Sequence, residues 1–299
     1  MPPLRLALIS LAWLALTACQ ANALRPAAAY VPTDEPEVAT AAPAPPTYIP
    51  FGMLFPPPER ICDYPVVQFF GRHLLDEQGD FDPAVLDIAQ GCGTQVILRL
   101  TGRTSNVLND SGVGLSLARY EDAINDFAGL IDPYVANGTI LAHFTIDEPH
   151  DCQNDWGGQC PTPAEVDEAG RLSRKYWPTL LTMINTSPSY AGRYHWQYTD
   201  IVNFQYSFHK GSLEAFINGS LAVLEEGQAH QIAWSIQATR GGCDEFNECP
   251  MTPSQIEEVG RAMCATGRGA WLYFTGYREE FMTPEVEQAI QQVRVACGE

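Results

Sequence analysis

The sequence predicts a (β/α)8 barrel, a closed ring of parallel strands joined by helical crossovers. Three observations lead there. Apolar β-type runs alternate with amphipathic helical patterns along most of the chain. Several of those helices open on the same device, a capping residue followed by proline. The stretch from Tyr48 to Glu299 has roughly the 250 residues usual for one such barrel.

The strands are taken in chain order. Residues 48–54 supply the first, and 95–100 (Gln-Val-Ile-Leu-Arg-Leu) another. Further runs fall at 139–146, 180–185, 201–206, 231–237 and 270–275. That makes seven; residues 65–70 are the candidate for the eighth. Between them, Leu117, Tyr120, Ile124, Phe127 and Ile131 step by three and four and mark one helix face, with Gly138 as its stop. Thr162-Pro163-Ala164-Glu165 is a capping box with proline at the first helical position, opening a helix through Tyr176. Thr252-Pro253-Ser254-Gln255 repeats it, and Asp82-Pro83 and Thr283-Pro284 open two more helices. Alternation of this kind calls for parallel strands. An open doubly wound sheet is the alternative, but no glycine-rich nucleotide loop follows any strand.

Composition narrows function. With 36 acidic against 17 basic residues and a net charge of −19, the chain is a poor partner for nucleic acid or anionic lipid. No G-x-S-x-G is present, which argues against serine hydrolase chemistry.

Ahead of the barrel lies an address. Arg5 precedes an apolar run, Leu6–Leu16, too short to span a bilayer. The run ends in Leu16-Thr17-Ala18-Cys19, which resembles the lipobox of bacterial lipoproteins. The resemblance implies a signal peptide over 1–18, a lipid such as palmitate on Cys19, and, through Gln20, a place on the outer membrane. Residues 20–47 hold nine Ala and six Pro without apolar periodicity and read as an extended linker. Eight cysteines remain after Cys19, an even number for an oxidising compartment. Cys152 with Cys160 and Cys243 with Cys249 are close pairs, and each follows a strand end. Cys62, Cys92, Cys264 and Cys297 complete the set, with their connectivity left open; sequence order would join 62 to 92 and 264 to 297.

In barrels of this type the active site lies at the C-terminal ends of the strands. One such end is Leu141-Ala-His-Phe-Thr-Ile-Asp-Glu-Pro-His150, where a proline forbids continuation and holds two adjacent carboxylates at the rim. Carboxylates forced together push their pKa values apart, the usual preparation for acid–base work. Asp147-Glu148-Pro149 resembles the Asn-Glu-Pro that ends the fourth strand in many TIM-barrel glycoside hydrolases. By that resemblance Glu148 is the general acid/base and Asp147 its sugar-contacting neighbour. The same family places a nucleophilic Glu at the end of strand seven, where this chain has Gln237. Asp147, Asp244, Glu245 or Glu279 is then the second carboxylate, or the barrel binds carbohydrate without cleaving it. An inverting or substrate-assisted mechanism survives the substitution.

Candidate substrate-binding residues are Arg99, His143, His150, Trp156, Asn185, Gln205, Gln237 and Tyr273. Strict alternation puts His143, Thr145 and Asp147 on one inward face and packs Phe144 and Ile146 against helices. Arg99, a charge inside an apolar strand, requires an acidic partner or the barrel mouth. Asn185, Asn203 and Gln205 come late in strands five and six, within reach of hydroxyls. Trp156, Tyr190, Tyr194, Trp196 and Tyr198 are candidate stacking platforms. His143, Asp147, Glu148, His150 and Asp151 form a competing metal constellation, but Pro149 breaks the helical spacing that H-E-x-x-H needs, so neither metal nor cofactor is expected. The expected partners are a carbohydrate and, through Cys19, a membrane.

Overall fold

A computed structural model describes residues 48–243 and 249–299. The signal, Cys19, the linker, Asp244 and Glu245 lie outside the described residues.

The strands are β1 (Phe51–Leu54), β2 (Val66–Phe70), β3 (Gln95–Arg99), β4 (Ile140–Asp147), β5 (Leu181–Asn185), β6 (Ile201–Tyr206), β7 (Gln231–Ile236) and β8 (Leu272–Phe274). All pair in parallel, each with its sequence neighbours, and β8 closes on β1. The candidate eighth strand is β2, placed between β1 and β3.

The helices are α1 (Ala84–Cys92), α2 (Leu117–Asn125), α3 (Asp132–Ala136), α4 (Pro163–Tyr176), α5 (Pro188–Ala191), α6 (Leu213–Glu225), α7 (Pro253–Ala265) and α8 (Pro284–Ala296). Capping boxes open α4 at Thr162/Glu165 and α7 at Thr252/Gln255. The Thr283 hydroxyl caps α8, while Asp82 gives α1 only a side-chain bond to the Ala84 N–H. One expected element changes. The periodic face from Leu117 to Ile131 belongs not to one helix but to α2, a turn and the short α3. Gly129, at φ 81°, breaks the run before Gly138 is reached, although Tyr120, Ile124, Phe127 and Ile131 all remain buried.

Apolar side chains separate into two layers. Between strands and helices lies the larger core, and within the barrel a smaller cluster holds Val66, Ile97, Ala142, Phe144, Met183, Ile201, Ala233, Trp271 and Tyr273. These inward residues alternate along each strand, so the next inward position towards the C-terminal end is polar on most strands. Gln68, Arg99, Asn185 and Ser235 stack above the apolar floor and build the base of a cleft, with Asn203 buried between Asn185 and Ser235.

Strand β4 departs from alternation. Its register against β5 shifts between Phe144 and Ile146, a bulge. Phe144 therefore points into the barrel, and His143 points outward to α4. There its Nδ1 lies 2.7 Å from the Ser173 hydroxyl, and its ring meets Trp177 edge-on. Ile146 packs outward as expected, and Asp147 returns to the interior because the extra residue resets the phase.

Four disulfides join Cys62 to Cys92, Cys152 to Cys160, Cys243 to Cys249 and Cys264 to Cys297. The first ties the turn after β1 to α1, and the last ties α7 to α8. The other two brace loops after β4 and β7. No helix among the described residues is long and apolar enough to cross a membrane.

Candidate active site

The C-terminal ends of the strands enclose a cleft of about 210 Å3. Its floor is a belt of side-chain hydrogen bonds that crosses from strand to strand. Arg99 on β3 reaches Asp147 Oδ2 on β4 at 2.6 Å, and Asn185 on β5 donates to Asp147 Oδ1 at 2.9 Å. Asn203 on β6 donates to Asn185 Oδ1 at 2.8 Å and to the Ser235 hydroxyl on β7 at 3.0 Å. Above these, Gln205 donates to Gln237, and the Thr275 hydroxyl donates to the same Gln237 oxygen at 2.8 Å. Buried polar groups held this way are fixed in direction, which is what a recognition surface requires.

Arg99 has the acidic partner its position demands. Its guanidinium also lies 5.5 Å from the Phe70 ring centroid and 5.4 Å from that of Phe144, and it donates to the Thr104 hydroxyl. Two rings and a carboxylate thus replace the water that burial removes.

Glu148 begins the loop after β4. Its backbone adopts φ 43°, a left-handed conformation that costs a non-glycine residue roughly 1–2 kcal/mol. Among the described residues only Phe55, at φ 55°, shares that feature without being glycine, and it too lines the cleft. Strain of this kind survives where surrounding bonds over-determine it. The Glu148 N–H donates to the Asn185 carbonyl at 2.8 Å. Its own carbonyl accepts from the Asp151 N–H at 2.9 Å and from the Trp156 indole at 3.0 Å. Burial, and then the negative charge of Asp147, push its carboxyl up to about 7. Asp155 in the same loop is raised to about 6, again by burial first and Asp147 next.

The loop itself is tightly docked. The Gly114 N–H donates to the Trp156 carbonyl, and at Gly157, with φ 63°, a Cβ would stand 2.2 Å from the Gly112 carbonyl oxygen. The Cys152–Cys160 bond closes the segment that carries Trp156.

Of the expected site residues, Arg99, Asp147, Glu148, Asn185, Gln205, Gln237 and Tyr273 converge on the cleft. Three do not. His143 is on the helix side, where burial lowers it to about 3, so the five residues of the metal constellation do not converge. His150 sits beside Thr186 and Tyr190 rather than on the cleft wall, and burial lowers its pKa. Trp156 is 1% exposed and supports Glu148 from behind; it offers no face for stacking. Tyr190 and Trp196 are likewise buried, stacked on each other. Glu279, one of the proposed second carboxylates, is exposed and does not line the cleft.

Sequence reasoning missed the aromatic wall. Phe55 and Phe70 lie 4.4 Å apart at the ends of β1 and β2, with the His73 ring 5.4 Å from Phe55. It also missed Lys210, whose ammonium donates to the Gln205 carbonyl at 2.9 Å. Burial lowers the Lys210 pKa, while Glu148 and then Asp147 act against that lowering. Gln68, with a buried side-chain oxygen lacking a partner, was overlooked as well. Phe70 ends its strand and Phe55 follows its own directly, so the strand-end rule that selected Asp147 and Glu148 would have found both once β2 was accepted; Lys210 lies four residues beyond β6, in the turn Phe208–Lys210, where that rule does not reach.

Solved structures share this barrel architecture. An intracellular xylanase of Thermoanaerobacterium saccharolyticum in complex with xylotetraose superposes with a TM-score of 0.52 at 10% identity, covering 81% of this chain and 95% of that one. An endo-β-1,4-xylanase of glycoside hydrolase family 10 from Gloeophyllum trabeum gives 0.52 at 11%, covering 82% and 96%. An endo-β-1,4-mannanase of Cellulomonas fimi gives 0.56 at 11%, covering 84% and 71%. The chain has their fold. At such identity the likeness is one of architecture alone. No protein-family model matches the chain, and no curated protein does.

Proposed function

We propose that the protein is a glycoside hydrolase acting on a carbohydrate of the cell envelope or outside it, with Glu148 as general acid/base. The observation that carries this reading is Glu148 itself, a carboxyl on the cleft wall raised to about 7 by burial and by the adjacent Asp147. Near neutral pH such a group is partly protonated, so it can deliver a proton to a leaving oxygen and afterwards take one from water. Asp147, paired with Arg99 and Asn185, supplies fixed negative charge next to a developing oxocarbenium ion. Phe55 and Phe70 offer apolar ring surface for a sugar face. Xylotetraose bound in a barrel of the same fold is in keeping with a carbohydrate ligand.

A second reading, carbohydrate binding without turnover, is favoured by Gln237. An amide stands at the end of β7, already bonded to Gln205 and Thr275. A glycan-hydrolysis screen of the wild type beside Glu148→Gln separates the two. Loss of hydrolysis in the variant supports the enzyme; hydrolysis that survives it refutes the role of Glu148. Retained glycan binding without turnover in both proteins establishes the binding module.

The protein acts, in this reading, from a lipid on Cys19, with residues 20–47 as the leash to an outer membrane. Incorporation of labelled palmitate that disappears in Cys19→Ser is the expected result. Equal labelling of both forms would exclude that anchor.

A further inference from the structure

Three features of the cleft bear on which sugar it takes. First, its carboxylates among the described residues are Asp147 and Glu148, neighbours on one strand end. Retaining hydrolysis by two protein carboxylates needs a nucleophile about 5–5.5 Å from the acid, across the sugar. At the end of β7 the side chain is the Gln237 amide, whose oxygen already accepts from Gln205 and Thr275.

Second, Asp147 is a poor nucleophile and a good acceptor. Oδ2 is held by Arg99 at 2.6 Å and Oδ1 by Asn185 at 2.9 Å, so both oxygens are fixed and their charge is spread over donors. The side chain is still 25% exposed, leaving an open edge towards the cleft. A carboxylate pinned in this way can receive an N–H and stabilise positive charge without moving.

Third, polar groups near Asp147 are unused. The Tyr273 residue is 3% exposed, lines the cleft and is close enough to feel the charges of Asp147 and Arg99, yet its hydroxyl has no hydrogen-bond partner among the described residues. The Gln68 side-chain oxygen, also buried at the cleft, has none either. Buried polar groups left unpaired in a cleft are satisfied by what binds there.

We propose that the substrate brings its own nucleophile: the cleft takes a β-linked 2-acetamido-2-deoxy sugar, whose acetamido N–H is received by Asp147. This rests on the reading of Glu148 as a glycosidase acid. The acetamido carbonyl oxygen attacks C1 as the C1–O glycosidic bond breaks, and the Glu148 proton goes to the departing oxygen. A bicyclic oxazolinium ion results, its N–H held by Asp147. Water then attacks C1, losing a proton to Glu148; the C1–oxygen bond of the ring opens and the acetamide is restored. The sum is one water consumed, one glycosidic bond cleaved, and retention at C1. Tyr273 is placed to hold the acetamido carbonyl oxygen on course.

The test compares chitohexaose with cellohexaose, which share linkage and ring stereochemistry and differ at C2. Aryl β-N-acetylglucosaminides and β-N-acetylgalactosaminides are assayed beside the matching glucoside and galactoside. The acetamido substrates are expected to be cleaved with retention, at least about 100-fold faster than their 2-hydroxy partners. Progressive fluorination of the N-acetyl group weakens the carbonyl nucleophile and should slow the wild-type enzyme in step. Asp147→Asn should lower kcat on the order of 100-fold while leaving KM nearly unchanged. The fluorinated series uses unmutated protein, so it decides the matter even if Asp147→Asn folds poorly. Equal cleavage of both hexamers, dependent on Glu148, would overturn this inference and leave the glycosidase reading intact, as would inversion at C1 or indifference to fluorination. Cleavage of no glycan at all would overturn both.

Discussion

The indole N–H of Trp156 donates to the main-chain carbonyl of Glu148 at 3.0 Å, behind the cleft rather than within it. The acceptor belongs to a residue held at φ 43°, so the indole is one of the bonds that keep a strained backbone in place. Trp156→Phe removes the donor but keeps most of the apolar volume. The expected cost is about 1–2 kcal/mol in urea denaturation, with a fall in kcat larger than any change in KM. Unchanged turnover in a variant destabilised by that amount would show that the bond serves the loop alone.

In the proposed function, Glu148 links activity to pH in a definite direction. Its folded-state pKa, about 7, stands above the ordinary 4.5, so the native state binds more protons than the unfolded chain between those values. Its contribution to stability is present at low pH and is lost as pH rises through 7. Glu148→Gln removes the titration and should gain stability over the wild type from pH 5 to pH 8, by at most roughly 3 kcal/mol. Parallel Tm curves for the two proteins across that range would contradict the raised value. Wild-type hydrolysis should decline above pH 7 as the acid loses its proton. Asp147→Asn removes a charge that raises Glu148, so its remaining activity should decline at lower pH.

Arg99 and Asp147 are a partly buried pair whose members depend on each other. Arg99→Met leaves the carboxylate at the cleft floor without its cation and should destabilise the protein by about 3 kcal/mol. Adding Asp147→Asn removes the orphaned charge and should recover part of the loss. A double variant no more stable than Arg99→Met alone, by denaturant midpoint, would count against a charge-based account.

The Cys152–Cys160 bond closes a short loop that carries Trp156. Replacing both cysteines with serine should cost roughly 2 kcal/mol through the freedom regained by the unfolded chain. Because the loop carries the support for Glu148, activity should fall at temperatures where circular dichroism still reports folded barrel. Coincident loss of both signals would place the effect in global stability.

Much of the barrel was legible because its signals are local. Thr162-Pro163-Ala164-Glu165 and Thr252-Pro253-Ser254-Gln255 satisfy the first N–H groups of α4 and α7 with neighbouring side chains, and no distant contact is needed to foresee it. Val66–Phe70 was weaker, a five-residue strand between loops, and becomes certain only when β1 and β3 are seen to pair with it. The Leu117–Ile131 stripe identified the buried side chains correctly but not the break at Gly129, since a helix and a helix–turn–helix can bury the same face.

In the site, the strand-end acids, Arg99, Asn185 and the glutamines follow from parallel strands ending at a common rim. His143 does not. Alternation along β4 put it inside with Asp147, whereas the bulge between Phe144 and Ile146 sends His143 to Ser173 and still brings Asp147 inward. The sequence by itself determined that two adjacent carboxylates would end a barrel strand, because apolar run, acids and proline are contiguous. Only the tertiary structure decided which side chains share the cleft with them. Where a strand gains a residue depends on the register of its neighbour, and one extra residue exchanges the two faces of everything beyond it.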